Sequence, residues 1–338
     1  MNMINHQFSI VIPVKNGGAY LIECINSILN QTYQNFNIII LENNSSDGTN
    51  EWLRELKNEK IIVHYEEKPL GIEGNWARIK DVPKNEFMTI MGQDDLLHPN
   101  FLEVINSLIN QHSTASLYHT HFNYVDAKGN IIKPCKPMPN QIGINEFIKL
   151  FLTYKIDIMG TGYITRSKDY EKIGGIPLHY PSLLKADFEL WMELAEISYE
   201  AIAAENCFSF RIHQSTTTTS SNMNTLIAFE KFVSYLKSKM SNPQLEKTIK
   251  ENCLYFIGMD CQALTHRLIK TPLQKRTKDE TVKNIIDRCK ACANLLIPNS
   301  KFNAGNSNLI RMALIIDSNI ITKKLFLEFK RVVKNPIF

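Results

Sequence analysis

Apolar residues gather in four short runs along the first hundred positions: FSIVIPV (8–14), NIIIL (37–41), IIVHY (61–65) and FMTIM (87–91). Each run is strand-length and most are rich in β-branched residues. Between them apolar positions recur at helical spacing, over 20–29, 49–57 and 73–80, and again at 100–110 after the fourth run. Strands alternating with helices at this interval predict βαβ units. The sheet they build is mainly parallel, lies between helices and is Rossmann-like in its layering.

The pattern then changes. SLYHTHFNYVD (116–126) alternates like a strand, and Asp126 to Gly129 reads as a hairpin turn. Pro134, Pro137 and Pro139 exclude a helix across that stretch. Helical periodicity returns in ADFELWMELAEI (186–197), and CFSFRIH (207–213) predicts a further strand. QSTTTTSSN (214–222) reads as a polar linker, and everything beyond it is helical. The expected organisation is an α/β domain over 1–220 and a C-terminal α-helical region over 221–338.

In parallel sheets ligands sit beyond the carboxyl ends of the strands. The polar residues directly after each run are therefore the ones to weigh: Lys15-Asn16, Glu42-Asn43-Asn44, Glu66-Glu67 and Gln93-Asp94-Asp95. Asp94 and Asp95 are like charges side by side at the end of a buried run, a costly placement. One reading is a solvated turn capping the next helix. The other is a hard divalent cation, which accepts carboxylate oxygens and carries a phosphate ligand with it. There is no G-x-x-x-x-G-K-[ST] loop, and NGG (16–18) is not a G-x-G-x-x-G fingerprint. A phosphate ligand here needs a metal, and a dinucleotide-dependent dehydrogenase is disfavoured.

Charge and composition narrow the classes further. With 38 basic against 34 acidic residues, net charge +4 is too slight to argue for nucleic acid. The N-terminus shows no signal-peptide pattern, and no run reaches the length of a membrane span. Seven cysteines at irregular spacing read as reduced thiols, and the single C-x-x-C (Cys289, Cys292) lies in a helical pattern where packing is the favoured reading. A cytoplasmic protein is expected.

FSIVIPVKNGGAYLIECINSILNQTYQNFNIIILENNSSDGTNEWL, the arginine of GNWARIK, GQDDLLHPNFL, KADFELWMELA and FSFRIHQS occur in that order. Together they resemble a family 2 glycosyltransferase of the inverting GT-A type, over roughly residues 8–220. The resemblance implies a GT-A nucleotide-diphospho-sugar transferase fold and a hexosyltransferase-type activity. It also implies a nucleotide-sugar donor, with a UDP-sugar favoured, and Mn2+ or Mg2+ as cofactor. The acceptor would be a hydroxyl of a glycan or a lipid-linked molecule, in bacterial surface polysaccharide synthesis.

Carried over residue by residue, the resemblance has Pro13, Lys15 and Asn16 lining the nucleotide. Glu42 and Asn43 stand where the family usually has two aspartates, so the base contact departs from its pattern. Arg78 would sit near the donor, Asp94 would meet the ribose or sugar, and Asp95 would hold the metal. Gly92 stands where many relatives have a third aspartate. His213 is implied as a metal or diphosphate contact, as is Arg211 on the donor side.

Inversion is a single displacement, so one carboxylate suffices to take the acceptor proton. Asp187 is the candidate general base. It opens a helix, where the dipole favours the ionised form at pH 7. Glu189 is the rival, but two residues along a helix point it about 200° away. His98, His119 and His121 read as structural. The competing class is a catalytically silent nucleotide-sugar or glycan-binding protein on the same fold, which the presence of both Asp95 and Asp187 disfavours.

The C-terminal helices are amphipathic, and residues 301–338 hold seven Lys or Arg against two acids, Asp317 and Glu328. Two expectations follow: peripheral contact with the inner face of an anionic membrane, or packing on the catalytic domain or on a second copy as a homo-oligomer.

Overall fold

The computed structural model describes residues 3–212 and 221–333. His213, the 214–220 part of the predicted linker and Lys334 lie outside the described residues. The chain divides into two compact units, one of residues 1–151 and 155–218, the other of 152–154 and 219–338.

The first unit is mixed α/β. Its strands are β1 (Phe8–Val14), β2 (Phe36–Glu42), β3 (Ile61–Tyr65), β4 (Phe87–Ile90), β5 (Leu96–Leu97), β6 (Leu117–Val125), β7 (Ile131–Pro134), β8 (Gln141–Ile142), β9 (Ile164–Arg166) and β10 (Glu200–Arg211). Its helices are α1 (Gly18–Leu29), α2 (Thr49–Glu55), α3 (Ile72–Ala77), α4 (Phe101–Gln111), α5 (Ile144–Leu152), α6 (Ser167–Lys172) and α7 (Ala186–Ile197).

The strands form one sheet in the order β3-β2-β1-β4-β9-β6-β10-β5, with β7 on β6 and β8 on β10. β3, β2, β1 and β4 are parallel, as the alternating runs predict. β9 then enters antiparallel between β4 and β6, and β10 runs parallel to β6. β1 and β2 are buried almost throughout, which is why they read as continuous apolar runs rather than alternating ones. β3 is half-exposed, as suits an edge.

The parallel register brings the carboxyl ends level. Val14 pairs with Glu42, Glu42 with Tyr65, and Val11 with Ile90. The loops after β1, β2, β3 and β4 therefore open on one edge of the sheet. The predicted hairpin forms: Asp126 Oδ1 accepts from the Lys128 and Asn130 amides at 2.8 and 2.9 Å, joining β6 to β7.

The second unit is helical: α8 (Asn222–Lys239), α9 (Pro243–Lys270), α10 (Val282–Leu296), α11 (Asn308–Asp317) and α12 (Ile320–Val332). α9 is the axis on which α8, α10 and α11 pack. Cys289 and Cys292 are buried free thiols on the inner face of α10. The Asp317 side chain is 5% exposed, pairs with Arg276 at 3.0 Å and Lys323 at 3.2 Å, and accepts from the Val282 amide at 2.8 Å, tying α11 to α10 and α12. α12 itself buries no residue.

Candidate active site

The loop after β1 is laced to the loop after β2. Lys15 Nζ donates to the Asn43 carbonyl at 2.7 Å and to that of Asn44. Asn16, in the left-handed region at φ 53°, donates its amide to Ser45 Oγ at 2.9 Å and accepts from the Ser46 amide at 2.9 Å. Pro13 is buried in β1 beside Leu41. The loop after β4 joins them through Gln93, whose side chain accepts from the Lys15 amide and donates to its carbonyl at 3.0 and 3.1 Å.

Three residues that the resemblance puts near a donor spend their polar atoms on the protein. Glu42 is fully buried, and its carboxylate accepts from the Asn44 and Ser45 amides at 3.0 and 2.7 Å and from Asn50 Nδ2 at 2.9 Å. Its extra methylene turns the charge back into its own loop. Asn43 is buried too and pairs with both backbone groups of Leu70, at 2.7 and 3.0 Å, pinning the loop after β3 to the end of β2. Arg78 donates to the carbonyls of Glu42 and His64 at 2.9 and 2.7 Å, to Asn75 Oδ1 at 2.9 Å and to Glu66 at 3.2 Å. It clamps the ends of β2 and β3.

The acid pair is built differently. Asp95 is 2% exposed, while Asp94 beside it is half-buried. Asp95 Oδ1 accepts from the Arg211 amide at 2.9 Å, and Oδ2 accepts from Thr161 Oγ1 at 2.6 Å. Burial first, and the Asp94 charge second, hold the Asp95 carboxyl well above the usual carboxylate range. Gly92 allows the approach: a Cβ there would lie 2.9 Å from Asp94 Oδ1 and 2.9 Å from Asp95 Oδ2. A third aspartate at this place would require the other two carboxylates to shift.

Arg211, at the end of β10, is also buried and fully engaged. Nε donates to the Asp94 carbonyl at 2.8 Å, Nη1 to the Ala127 carbonyl at 2.8 Å and Nη2 to Glu23 Oε2 at 2.6 Å, and the guanidinium lies over the Tyr20 ring. It braces the acid loop from behind rather than facing an open cleft.

Thr161 carried no sequence signal. Its hydroxyl accepts from the Gly92 amide at 2.9 Å while donating to Asp95, so it fixes both the turn and the acid. Gly162 makes that possible: at φ 90° it passes over the Phe208 ring, where a Cβ would lie 2.4 Å from a ring carbon.

Asp187 sits in the first turn of α7, and its Oδ1 accepts from the Phe188 amide at 3.1 Å. The dipole argument alone is outweighed here. Desolvation is the largest influence and raises the carboxyl to about 6, with the backbone donors and Lys185 pulling it down. Glu189 is turned elsewhere and accepts from the buried Tyr180 hydroxyl at 2.6 Å. Before the helix, Ser182, Leu183 and Lys185 all have left-handed φ values of 55°, 54° and 70°. For non-glycine residues each costs on the order of 1 kcal/mol, and such strain gathers at functional sites.

The histidines behave as structural groups. His98 spans the Asn206 carbonyl and Ser209 Oγ at 2.8 and 2.9 Å. His121 accepts from the Met138 amide at 3.1 Å. His119 is stacked at 4.0 Å on Tyr163, and burial lowers it to about 3, so it stays neutral.

The sequence profile described as "Glycosyl transferase family 2" matches residues 9–174. Glycosyltransferase GlyG of Streptococcus pneumoniae serotype 4 is 32% identical over 129 residues, 36% of this chain and 41% of that protein. A Rickettsia typhi protein named as an uncharacterized glycosyltransferase is 30% identical over 240 residues, 70% of this chain and 73% of that protein. The chain belongs to glycosyl transferase family 2. It spans about two-fifths of the length of GlyG but most of the Rickettsia member. This family 2 chain also superposes on the crystal structure of S. aureus TarS 1-349 in complex with UDP-GlcNAc, with a TM-score of 0.55 at 13% identity, covering 88% of this chain and 93% of that one. The GT-A type fold expected from the sequence is the fold observed.

Proposed function

We propose that the chain moves a sugar, with inversion, from a UDP-sugar to a hydroxyl of a glycan or lipid-linked acceptor. The observation that carries this reading is the pairing of two acids with different settings. Asp95 is buried beside a like charge at the ligand edge of a parallel sheet, and Asp187 opens a helix with its carboxyl raised to about 6. UDP as the carrier draws its support from TarS, a neighbour in fold whose crystal structure is a complex with UDP-GlcNAc.

The chemistry of the acid pair fits a divalent cation. Each Asp95 oxygen accepts one hydrogen bond and keeps a lone pair, and burial makes the unpaired carboxylate unfavourable. Among the described residues no three His, Cys, Asp or Glu side chains converge as a metal cluster. Asp95, with Asp94 beside it, would thus share Mn2+ or Mg2+ with donor phosphate and water, and with His213 if that side chain reaches it. Bound there, the ion would neutralise charge on the departing diphosphate.

The protein's own residues do the rest. Asp187, mostly ionised at pH 7, takes the acceptor proton as the hydroxyl oxygen attacks the anomeric carbon from the face opposite the diphosphate. The new C–O bond forms as the old one breaks, UDP leaves with the electron pair, and Asp187 later gives its proton to water. Thr161 and Arg211 hold Asp95 for the donor. Pro13 and Asn16 wall the nucleotide cleft, while Lys15, Glu42, Asn43 and Arg78 shape its loops through the backbone.

The lipid-linked acceptor draws support from the second unit. Ile321, Leu325, Phe329 and Val332 form one exposed stripe along α12, from 57% to 84% accessible, edged by Lys324 and by Arg331, which pairs with Glu328 at 3.0 Å. No helix among the described residues is long and apolar enough to cross a membrane. With Lys323, Lys324, Lys330 and Arg331 against Glu328 alone, the helix carries a net positive charge beside its apolar stripe, which suits an anionic lipid surface.

Titrating UDP, GDP and TDP with and without Mn2+, and following release of UDP from UDP-sugars, tests the proposal. Mn2+-dependent UDP binding with turnover supports it. Binding without turnover, together with an Asp187→Asn variant indistinguishable from the parent, would favour the silent binding protein.

A further inference from the structure

The turn before α7 is held in a conformation its residues do not favour, and one side chain from a distant helix holds it. Ser182, Leu183 and Lys185 have φ values of 55°, 54° and 70°, and none is glycine. Left to themselves such residues relax toward negative φ. Glu73 Oε1 accepts the Ser182 amide at 2.7 Å, across 109 positions of sequence. Glu73 lies in the first turn of α3, where a carboxylate ordinarily serves its own helix terminus. Here it reaches out to a strained turn instead.

α3 is itself fixed to the ligand edge of the sheet. The loop leading into it is pinned by Asn43 through Leu70, and its far end by Arg78, which bonds Asn75 and the Glu42 carbonyl. A continuous series of hydrogen bonds therefore runs from the carboxyl end of β2, through α3, to the backbone at Ser182. Five residues further on stands Asp187. The middle of α7 has its own anchor, since Trp191 Nε1 donates to the Met159 carbonyl at 2.8 Å. The first turn, where Asp187 sits, is held by Phe188 edge-on against Phe151 and by Glu189 on the Tyr180 hydroxyl, and Glu73 fixes the backbone that leads into it.

We infer that Glu73 is a positioning residue for Asp187: by holding the Ser182 amide it sets the direction in which the base enters the site. Glu73 touches no reacting atom. Its action passes entirely through the 182–185 turn, and the coupling places the base in register with the loops that shape the nucleotide cleft. The inference rests on the assignment of Asp187 as general base.

Glu73→Ala removes the acceptor, whereas Glu73→Gln keeps an amide oxygen able to accept the same bond. The assay is UDP release from UDP-glucose or UDP-GlcNAc by the full chain in saturating Mn2+, with water as acceptor. A misplacement of about 1 Å costs on the order of a hundredfold in rate. Glu73→Ala should therefore lower kcat between about tenfold and a hundredfold, with KM for the donor changed less than about threefold. Glu73→Gln should stay within about threefold of the parent.

A merely structural role would lower thermal stability and leave the rates of folded protein alone. The cycle with Asp187→Asn separates the two. Residues acting through one group are not additive, so adding Glu73→Ala to Asp187→Asn should slow it no further. A Glu73→Ala variant within about twofold of the parent, or a loss that multiplies with that of Asp187→Asn, overturns the inference while the base assignment stands. A parent-like Asp187→Asn overturns both.

Discussion

Lowering the pH across the Asp187 titration gives a prediction with a number attached. Desolvation lifts this carboxyl from an ordinary 3.8 to about 6, so at pH 7 roughly ten molecules in eleven carry the base form and at pH 5 roughly one in eleven. Because the ionised form is the active one, kcat should fall about tenfold between pH 7 and pH 5 and continue down one decade per unit. An unshifted aspartate would lose less than about a tenth of the rate over the same span. Asp187→Asn should remove the limb and lower the pH 7 rate by about 10²–10⁴, or roughly 3–5 kcal/mol of transition-state stabilisation. The measurement is initial UDP release from a saturating UDP-sugar between pH 5 and 8. Mn2+ is doubled at each pH to show that the Asp95 site stays loaded. A rate flat down to pH 5, or an acid limb that survives in Asp187→Asn, refutes the reasoning.

Asp95→Asn should abolish Mn2+-dependent UDP binding yet stabilise the protein in EDTA. The native carboxyl holds its proton above the ordinary value, so its burden on stability is absent in acid and grows as pH rises through that value. The gain in Tm should thus be larger at pH 7.5 than at pH 4.5, and equal shifts at both would contradict it. Thr161→Val strips Asp95 Oδ2 of its donor, and hydrogen bonds to charged groups contribute about 1.5–3 kcal/mol. Calorimetry should show UDP affinity in Mn2+ reduced by roughly tenfold or more, while Thr161→Ser behaves like the parent. The full chain should co-sediment with vesicles containing anionic lipid at low salt, and Leu325→Glu with Phe329→Glu should abolish it; pelleting that persists in the double variant removes α12 as the contact.

What could be read in advance follows the size of each signal. β1 and β2 have seven residues each, and with β4 they are buried throughout or nearly so and flanked by helices, so their runs stand out. β5 and β8 have two residues each and β9 has three, too few for any period to show. β10 starts seven residues before its visible run, because Glu200 to Asn206 is mixed in polarity and contains a register shift between Ala203 and Asn206. α5 lay hidden behind the prolines.

Side-chain direction is the other thing a sequence withholds. Glu42 and Arg211 at strand ends and Arg78 at a helix end look like surface charges, and only tertiary contacts reveal that each faces inward. Thr161 reads as an ordinary loop hydroxyl and Glu73 as an ordinary helix-start acid. Both owe their place to segments that meet across 66 and 109 positions of chain. The adjacent acids at 94 and 95 were conspicuous because their chemistry is awkward without a ligand.

The Arg211 clamp carries a consequence for synthesis. Its amide reaches Asp95 across 116 positions and its guanidinium reaches Glu23 across 188. On the ribosome β1 to β4 emerge first and can pair early, but Asp95 stays hydrated until β10 arrives. Docking of that last strand closes over Asp95, whose burial favours the protonated or cation-bound carboxyl, so the closing step of this unit is coupled to uptake of a proton or a cation. Assembly of the site thereby becomes a late, non-local event. A nascent chain released before residue 211 would carry a nearly complete parallel sheet with its acids still exposed to solvent.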